Sequence, residues 1–305
     1  MKIAIFGSGG VGGYFGGRLA AAGEDVTFLA RGAHLTAMQQ DGLHIASPLG
    51  DVDLPRVQAT DRPQAIGPVD VVLFTVKLYD VDASAATLAP LIGPDTVVIT
   101  LQNGVDAMDM VAKHVGADHV AGGAAYIVVV VDKPGHLRHT VAHQLVFGER
   151  DGRRSDRLVA FEKAGVRAGF QAKASSDVEA DLWVKFVRLA TWSGMTTLTR
   201  SPMGVVREDP ALFDMMLRAI EEVIAVGKAR GINFPPDLME GTIALIKNFP
   251  ANSKSSMLED LERGRRLELP WLSGAVVRLG KEAGVPTPIH QFITTVLTPF
   301  VNGSK

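Results

Sequence analysis

Along the first half of the chain, apolar residues fall in short runs separated by helix-length amphipathic segments. Residues 2–6, 25–30, 69–76 and 96–101 read as strands, and the last two carry almost no polar alternation. A strand without alternation is covered on both faces, as in a parallel sheet flanked by helices. Residues 119–148 differ, because a β-rich run reaches Pro134-Gly135 and returns through 143–147, which predicts an antiparallel hairpin at the sheet's edge or end. From Ser176 onward the apolar spacing becomes three and four. Ser176 with Glu179 predicts a capping box ahead of Leu182, Trp183, Phe186, Leu189 and Ala190, which share one helix face. Asp209-Pro210 predicts the start of a second helix carrying Met216, Ile220, Val223 and Ile224, with Gly231 as its stop.

Composition sharpens the division. Of 32 glycines, 22 fall in residues 1–172, so the turn-rich α/β part is expected to end there and a mostly helical domain to occupy 173–305. With 31 basic and 33 acidic residues the formal charge is −2, which offers no electrostatic pull toward nucleic acid. The chain has no cysteine, which removes disulfides, thiolate metal sites and cysteine nucleophiles together. The apolar run at the start is too short for a signal-peptide core, and 120–131 falls short of the roughly 18 to 20 residues that span a bilayer. A cytoplasmic protein without membrane partners is expected. His136, His139 and His143 lack a metal-site spacing such as H-E-x-x-H, so no metal is expected there.

Gly7-Ser8-Gly9-Gly10-Val11-Gly12 matches G-x-G-x-x-G directly after a strand and before a helix-length stretch. In that context each glycine has a task. Gly7 allows the tight turn, Gly9 lets a pyrophosphate approach the backbone, and Gly12 lets the helix close on its strand, while helix N-terminal amides face the phosphates. The fold class follows as α/β, an N-terminal Rossmann-type doubly wound sheet followed by a mostly α-helical domain. At the end of the second strand, where an NAD site places a carboxylate for the ribose 2′-hydroxyl, stands Arg31. A guanidinium pairs with a 2′-phosphate that a carboxylate would repel, which favours NADPH.

Taken in order and spacing, the Gly7 to Gly12 loop, Leu29-Ala30-Arg31-Gly32, Val76-Lys77, Gln102-Asn103-Gly104, the segment from Asp181 to Phe186, Ser255-Ser256-Met257 and Glu268 resemble the ketopantoate reductase (2-dehydropantoate 2-reductase) family over nearly the whole chain. The resemblance implies NADPH-dependent reduction of a 2-oxo acid to a 2-hydroxy acid. It further implies Lys185 as general acid, and Glu268 as the carboxylate that orients the lysine or bonds a substrate hydroxyl. Lys77 and Asn103 would line the nicotinamide and substrate region, and Ser256 would bind the substrate carboxylate. Read from the residues alone, Lys185 would instead form a surface ion pair with Asp181, four positions earlier. The family pattern carries asparagines four and eight residues after the lysine, where this chain has Leu189 and Ser193. Ser193 keeps a hydroxyl for substrate, but Leu189 cannot hydrogen-bond. A related reductase of another oxo acid or an imine, or a non-catalytic NADPH sensor, therefore stays open beside ketopantoate reduction. A homodimer is a further expectation.

Overall fold

The computed structural model describes residues 1–303. Contacts divide it into two compact units, one of Met1–Gln102 with Asp106–Asp181, the other of Asn103–Val105 with the residues from Leu182 onward.

The first unit is built on one sheet of ten strands: β1 (Lys2–Phe6), β2 (Asp25–Leu29), β3 (Leu43–Ala46), β4 (Val52–Leu54), β5 (Gln58–Thr60), β6 (Val71–Phe74), β7 (Val97–Thr100), β8 (Val120–Lys133), β9 (His136–Glu149) and β10 (Gln171–Ala174). Their order is β4-β3-β9-β8-β7-β6-β1-β2-β5, with β10 paired to β9. From β5 through β8 every pair is parallel. That half has the doubly wound order, with the chain reversing direction across the sheet at β1, next to β6. Its central strands are apolar because both faces are covered: Ile3, Ile5, Leu73, Val97 and Ile99 are fully buried. Five helices belong to this unit: α1 (Gly10–Ala21), α2 (Gly32–Gln40), α3 (Val81–Ala85), α4 (Ala107–Val115) and α5 (Asp156–Arg167).

The hairpin forms as β8 and β9, but it lies inside the sheet. The first part of β9 pairs with β3 and its last part with β10, so the expected edge position is corrected. Strand β9 also accounts for its histidines. His136 stacks on His44 with ring centroids 4.5 Å apart, and buried His139 meets the Ser47 hydroxyl and the Ala142 carbonyl.

A 22-residue helix, α6 (Val178–Thr199), follows. Its cap is Asp177, whose carboxylate accepts from the Ala180 amide at 3.1 Å, and not the expected Ser176 with Glu179. Ser175 fixes this start by accepting from the Asp177 amide and donating to Asp181.

The second unit adds α7 (Met203–Glu208), α8 (Pro210–Ala229), α9 (Leu238–Asn248), α10 (Ser256–Glu262), α11 (Ser273–Ala283) and α12 (Pro288–Leu297). Helix α8 starts as its sequence predicts, with the Asp209 carboxylate accepting from the amides of Ala211 and Leu212. It stops at Gly231, whose φ of +84° suits glycine. Trp183, Phe186 and Ala190 of α6 pack into a core with Met216, Ile220, Val223 and Val276. Fully burying a side chain of Phe186's size is worth about 2 to 3 kcal/mol. Among the described residues no helix is long and apolar enough to cross a membrane.

Candidate active site

Two groups of site residues take shape, one in each unit. In the first unit the glycine loop joins β1 to α1. Gly7 has φ +103°, and a Cβ there would meet the Val76 amide nitrogen at 2.9 Å. A Cβ on Gly12 would lie 2.4 Å from both the Gly7 carbonyl oxygen and Thr75 Oγ1, so the helix can close on its strand only with glycine. On Gly9 a Cβ would meet nothing within 4 Å, leaving open space beside the exposed backbone. The first turn of α1 has no acidic residue and no side-chain cap, so its amides remain available to an anion. These features fit a dinucleotide pyrophosphate.

The Ser8 side chain faces inward. It is 3% exposed and donates to the Leu29 carbonyl at 2.9 Å, which pins the loop to β2. Gly10 and Val11 open α1, with Val11 half-buried against the sheet's core. Arg31 is exposed immediately before α2, and Gly32, with φ +55°, turns the chain directly after it. Lys77 follows β6 and is half-buried. Gln102 holds this end of the sheet by donating to the carbonyls of Phe74 and Val76 at 2.9 and 3.1 Å.

In the second unit Asn103 donates from Nδ2 to Glu268 Oε2 at 3.4 Å. Glu268 is 5% exposed. Protein packs closely around the Lys185 ammonium although the side chain retains some solvent access. Desolvation pushes Lys185 down to about 8, and the nearby Glu268 charge pulls it partly back up. Asp181, the partner suggested by spacing, bonds Ser175 instead. The arrangement is a lysine that stays mostly protonated at neutral pH while sitting near its titration point, as a proton donor requires.

Residues 3–152 match the family described as ketopantoate reductase PanE/ApbA, and residues 177–300 match its C-terminal domain. The chain belongs to the ketopantoate reductase family. It is 33% identical to a 2-dehydropantoate 2-reductase of Mesorhizobium japonicum, covering 94% of each chain, and 32% identical to the oxidoreductase YkpB of Bacillus subtilis, covering 96% of each. The crystal structure of a PanE/ApbA family ketopantoate reductase from Ralstonia eutropha superposes with a TM-score of 0.91 at 30% identity, covering 98% of each chain.

Against the ketopantoate reductase pattern, the departures on α6 take distinct positions. Leu189, one turn beyond Lys185, is half-buried. Ser193 is fully buried, and its hydroxyl finds no partner among the described residues. The neighbouring serines divide their tasks: Ser255 is buried, caps α10 through the Leu258 amide and accepts from Thr196 Oγ1 at 2.8 Å, while Ser256 is exposed at the helix's first position. Sequence reasoning missed Thr75, Thr196 and the Gln102 tether. Gln102 carried a signal, since it precedes Asn103 at the end of a predicted strand, where ligand groups of doubly wound sheets gather.

Proposed function

We propose that the protein reduces ketopantoate (2-dehydropantoate) to pantoate with NADPH, a step of pantothenate synthesis, and that residues 1–172 serve as the NADP-binding domain and 173–305 as the substrate and dimerisation domain. The observation that carries this reading is the Lys185 ammonium, desolvated to about 8 beside the Glu268 carboxylate that Asn103 bonds. Membership of the ketopantoate reductase family supports the choice of reaction.

When bound, NADPH supplies the hydride that reaches the carbonyl carbon. Gly9, Gly10, Val11 and Gly12 offer backbone to the pyrophosphate, Gly7 makes the turn that presents them, Ser8 keeps that backbone in register, and Arg31 takes the 2′-phosphate. As charge grows on the carbonyl oxygen, Lys185 stabilises it and delivers a proton from Nζ. Glu268 keeps the lysine charged and is placed to accept from a substrate hydroxyl. Asn103 orients Glu268, and Lys77 adds positive charge near the nicotinamide. Ser256, exposed at the start of α10, is our candidate for the substrate carboxylate. Ser193 is a further substrate contact implied by the resemblance, and its buried hydroxyl has no partner among the described residues.

Leu189 favours a second reading within the same chemistry, a 2-oxo acid other than ketopantoate. The deciding experiment follows NADPH oxidation with ketopantoate and, in parallel, branched, linear and aromatic 2-oxo acids. Ketopantoate leading in kcat/KM supports the first reading, and another acid leading supports the second. Silence across the panel with intact NADPH binding would make the protein a sensor. A cytoplasmic homodimer belongs to this proposal, with exposed Phe292 and Val296 of α12 as its apolar support.

A further inference from the structure

For a glycine loop to receive a phosphate, its amides must point outward and its carbonyls elsewhere, because a carbonyl oxygen turned to the anion would repel it. In this chain each of the loop's first three carbonyls is held by a donor from the protein. Gly7 O accepts from Thr75 Oγ1 at 2.5 Å, and Gly9 O accepts from the Gly13 amide at 2.7 Å. Ser8 O is held by His34 Nε2 at 2.8 Å.

His34 lies in the first turn of α2, three residues after Arg31, and is half-buried. Its other ring nitrogen, Nδ1, accepts from the Gly135 amide at 3.1 Å. Since Nδ1 accepts, the ring proton sits on Nε2, so the hairpin turn fixes the tautomer able to donate to Ser8. Gly135 is itself well anchored. Its φ is +76°, its carbonyl accepts from the His44 amide at 2.9 Å, and a Cβ there would meet Ala37 Cβ at 3.3 Å. Desolvation holds the imidazole below its usual range, which keeps it neutral and both bonds intact.

We propose that His34 is a positioning residue for the dinucleotide, holding the Ser8 carbonyl away from the pyrophosphate so that the amides from Gly9 to Gly12 stay open to it while those of Gly7 and Ser8 bond the Leu29 carbonyl, with the Gly135 amide setting the required tautomer. The inference rests on the NADPH reading above. It assigns His34 no contact with substrate or cofactor and no part in proton transfer.

Two substitutions separate the two bonds. His34→Gln places an amide NH₂ near the Nε2 position, which keeps the donor to Ser8 and gives up the Gly135 contact. His34→Asn places an acceptor near Nδ1, which keeps Gly135 and gives up Ser8. NADPH titration and steady-state kinetics on the full chain should find His34→Gln within about twofold of the parent in Kd, and His34→Asn weaker by about tenfold, the worth of one buried hydrogen bond. The loss should appear in Kd and in KM for NADPH, with kcat at saturating cofactor retained, and the two variants should lose similar Tm. Equal Kd values for the two variants, or a loss confined to kcat, would overturn the proposal. Arg31→Glu is the parallel control. If the parent chain does not bind NADPH, the functional reading itself fails; if it binds and Arg31→Glu weakens it while the His34 variants match the parent, only the role of His34 falls.

Discussion

Asn103 and Glu268 are joined by a 3.4 Å hydrogen bond from Nδ2 to Oε2, and the carboxylate so held is the one whose charge supports protonated Lys185. In Glu268→Gln the side-chain carbonyl still accepts from Asn103, but the charge is gone. Desolvation then acts on Lys185 without opposition, so its pKa falls below about 8. The descending limb of the pH–rate profile should move down by about one unit, the usual scale for losing a neighbouring opposite charge. An unmoved limb would separate Glu268 from the titrating group.

In the parent, reduction needs the protonated lysine. Turnover should be flat through neutral pH and fall tenfold per unit above about 8. Lys185→Ala should lower kcat by about 10² to 10⁴, the usual contribution of a general acid, with NADPH affinity nearly unchanged. Retained turnover would mean that another group delivers the proton.

Arg31 is exposed at the end of β2 beside a glycine loop pinned to Leu29. Arg31→Glu replaces an attraction for the 2′-phosphate with a repulsion. NADPH affinity should drop by roughly 100-fold while NADH affinity changes by only a few-fold. Parallel titrations decide this, and equal losses would remove Arg31 from the phosphate site.

Leu189 offers a half-buried methyl surface where the family pattern has an amide. Leu189→Asn should raise kcat/KM for hydroxylated 2-oxo acids relative to apolar ones by tenfold or more, as a gained or lost hydroxyl partner commonly does. A ratio unchanged across the panel would mean that Leu189 does not face the substrate.

Local signals made part of this molecule readable. The strand–glycine loop–helix unit from Lys2 to Ala21 and the α8 cap at Asp209 are written in consecutive residues, and the structure has them where the sequence predicts. Strands β3, β4, β5 and β10 have only three or four residues each, too few for alternation to register. The interior place of the hairpin depends on those same strands. At the site, spacing offered Asp181 as the partner of Lys185, but Ser175 engages Asp181 and the supporting carboxylate comes from Glu268, far along the chain. Ser193 and Thr196 stand at different angles from Lys185 on the same helix. Eight residues on, Ser193 lies about 80° around α6 from Lys185, while Thr196, eleven on, returns to within about 20°. Both are fully buried; Thr196 reaches Ser255, and the Ser193 hydroxyl has no partner among the described residues.

Stability should carry a pH signature of its own. His290 is fully buried in α12, where Nε2 donates to the Ala219 carbonyl and Nδ1 has no partner among the described residues. Burial pushes it down to about 4 from 6.5. Between those values the unfolded chain binds a proton that the folded chain refuses, so the stabilising difference is complete above pH 6.5 and is lost as pH falls toward 4. The total is about 3 kcal/mol. Glu222, which caps the start of α12 through the amides of Ile289 and His290, works the other way. Its desolvation raises its pKa, so its protonation on acidification favours the folded state and offsets part of the loss. His290→Gln keeps a donor for Ala219 and removes the titration. Urea unfolding at pH 7.5, 6, 5 and 4.5 should give the variant a shallower decline than the parent. Parallel declines would assign the acid sensitivity to other groups.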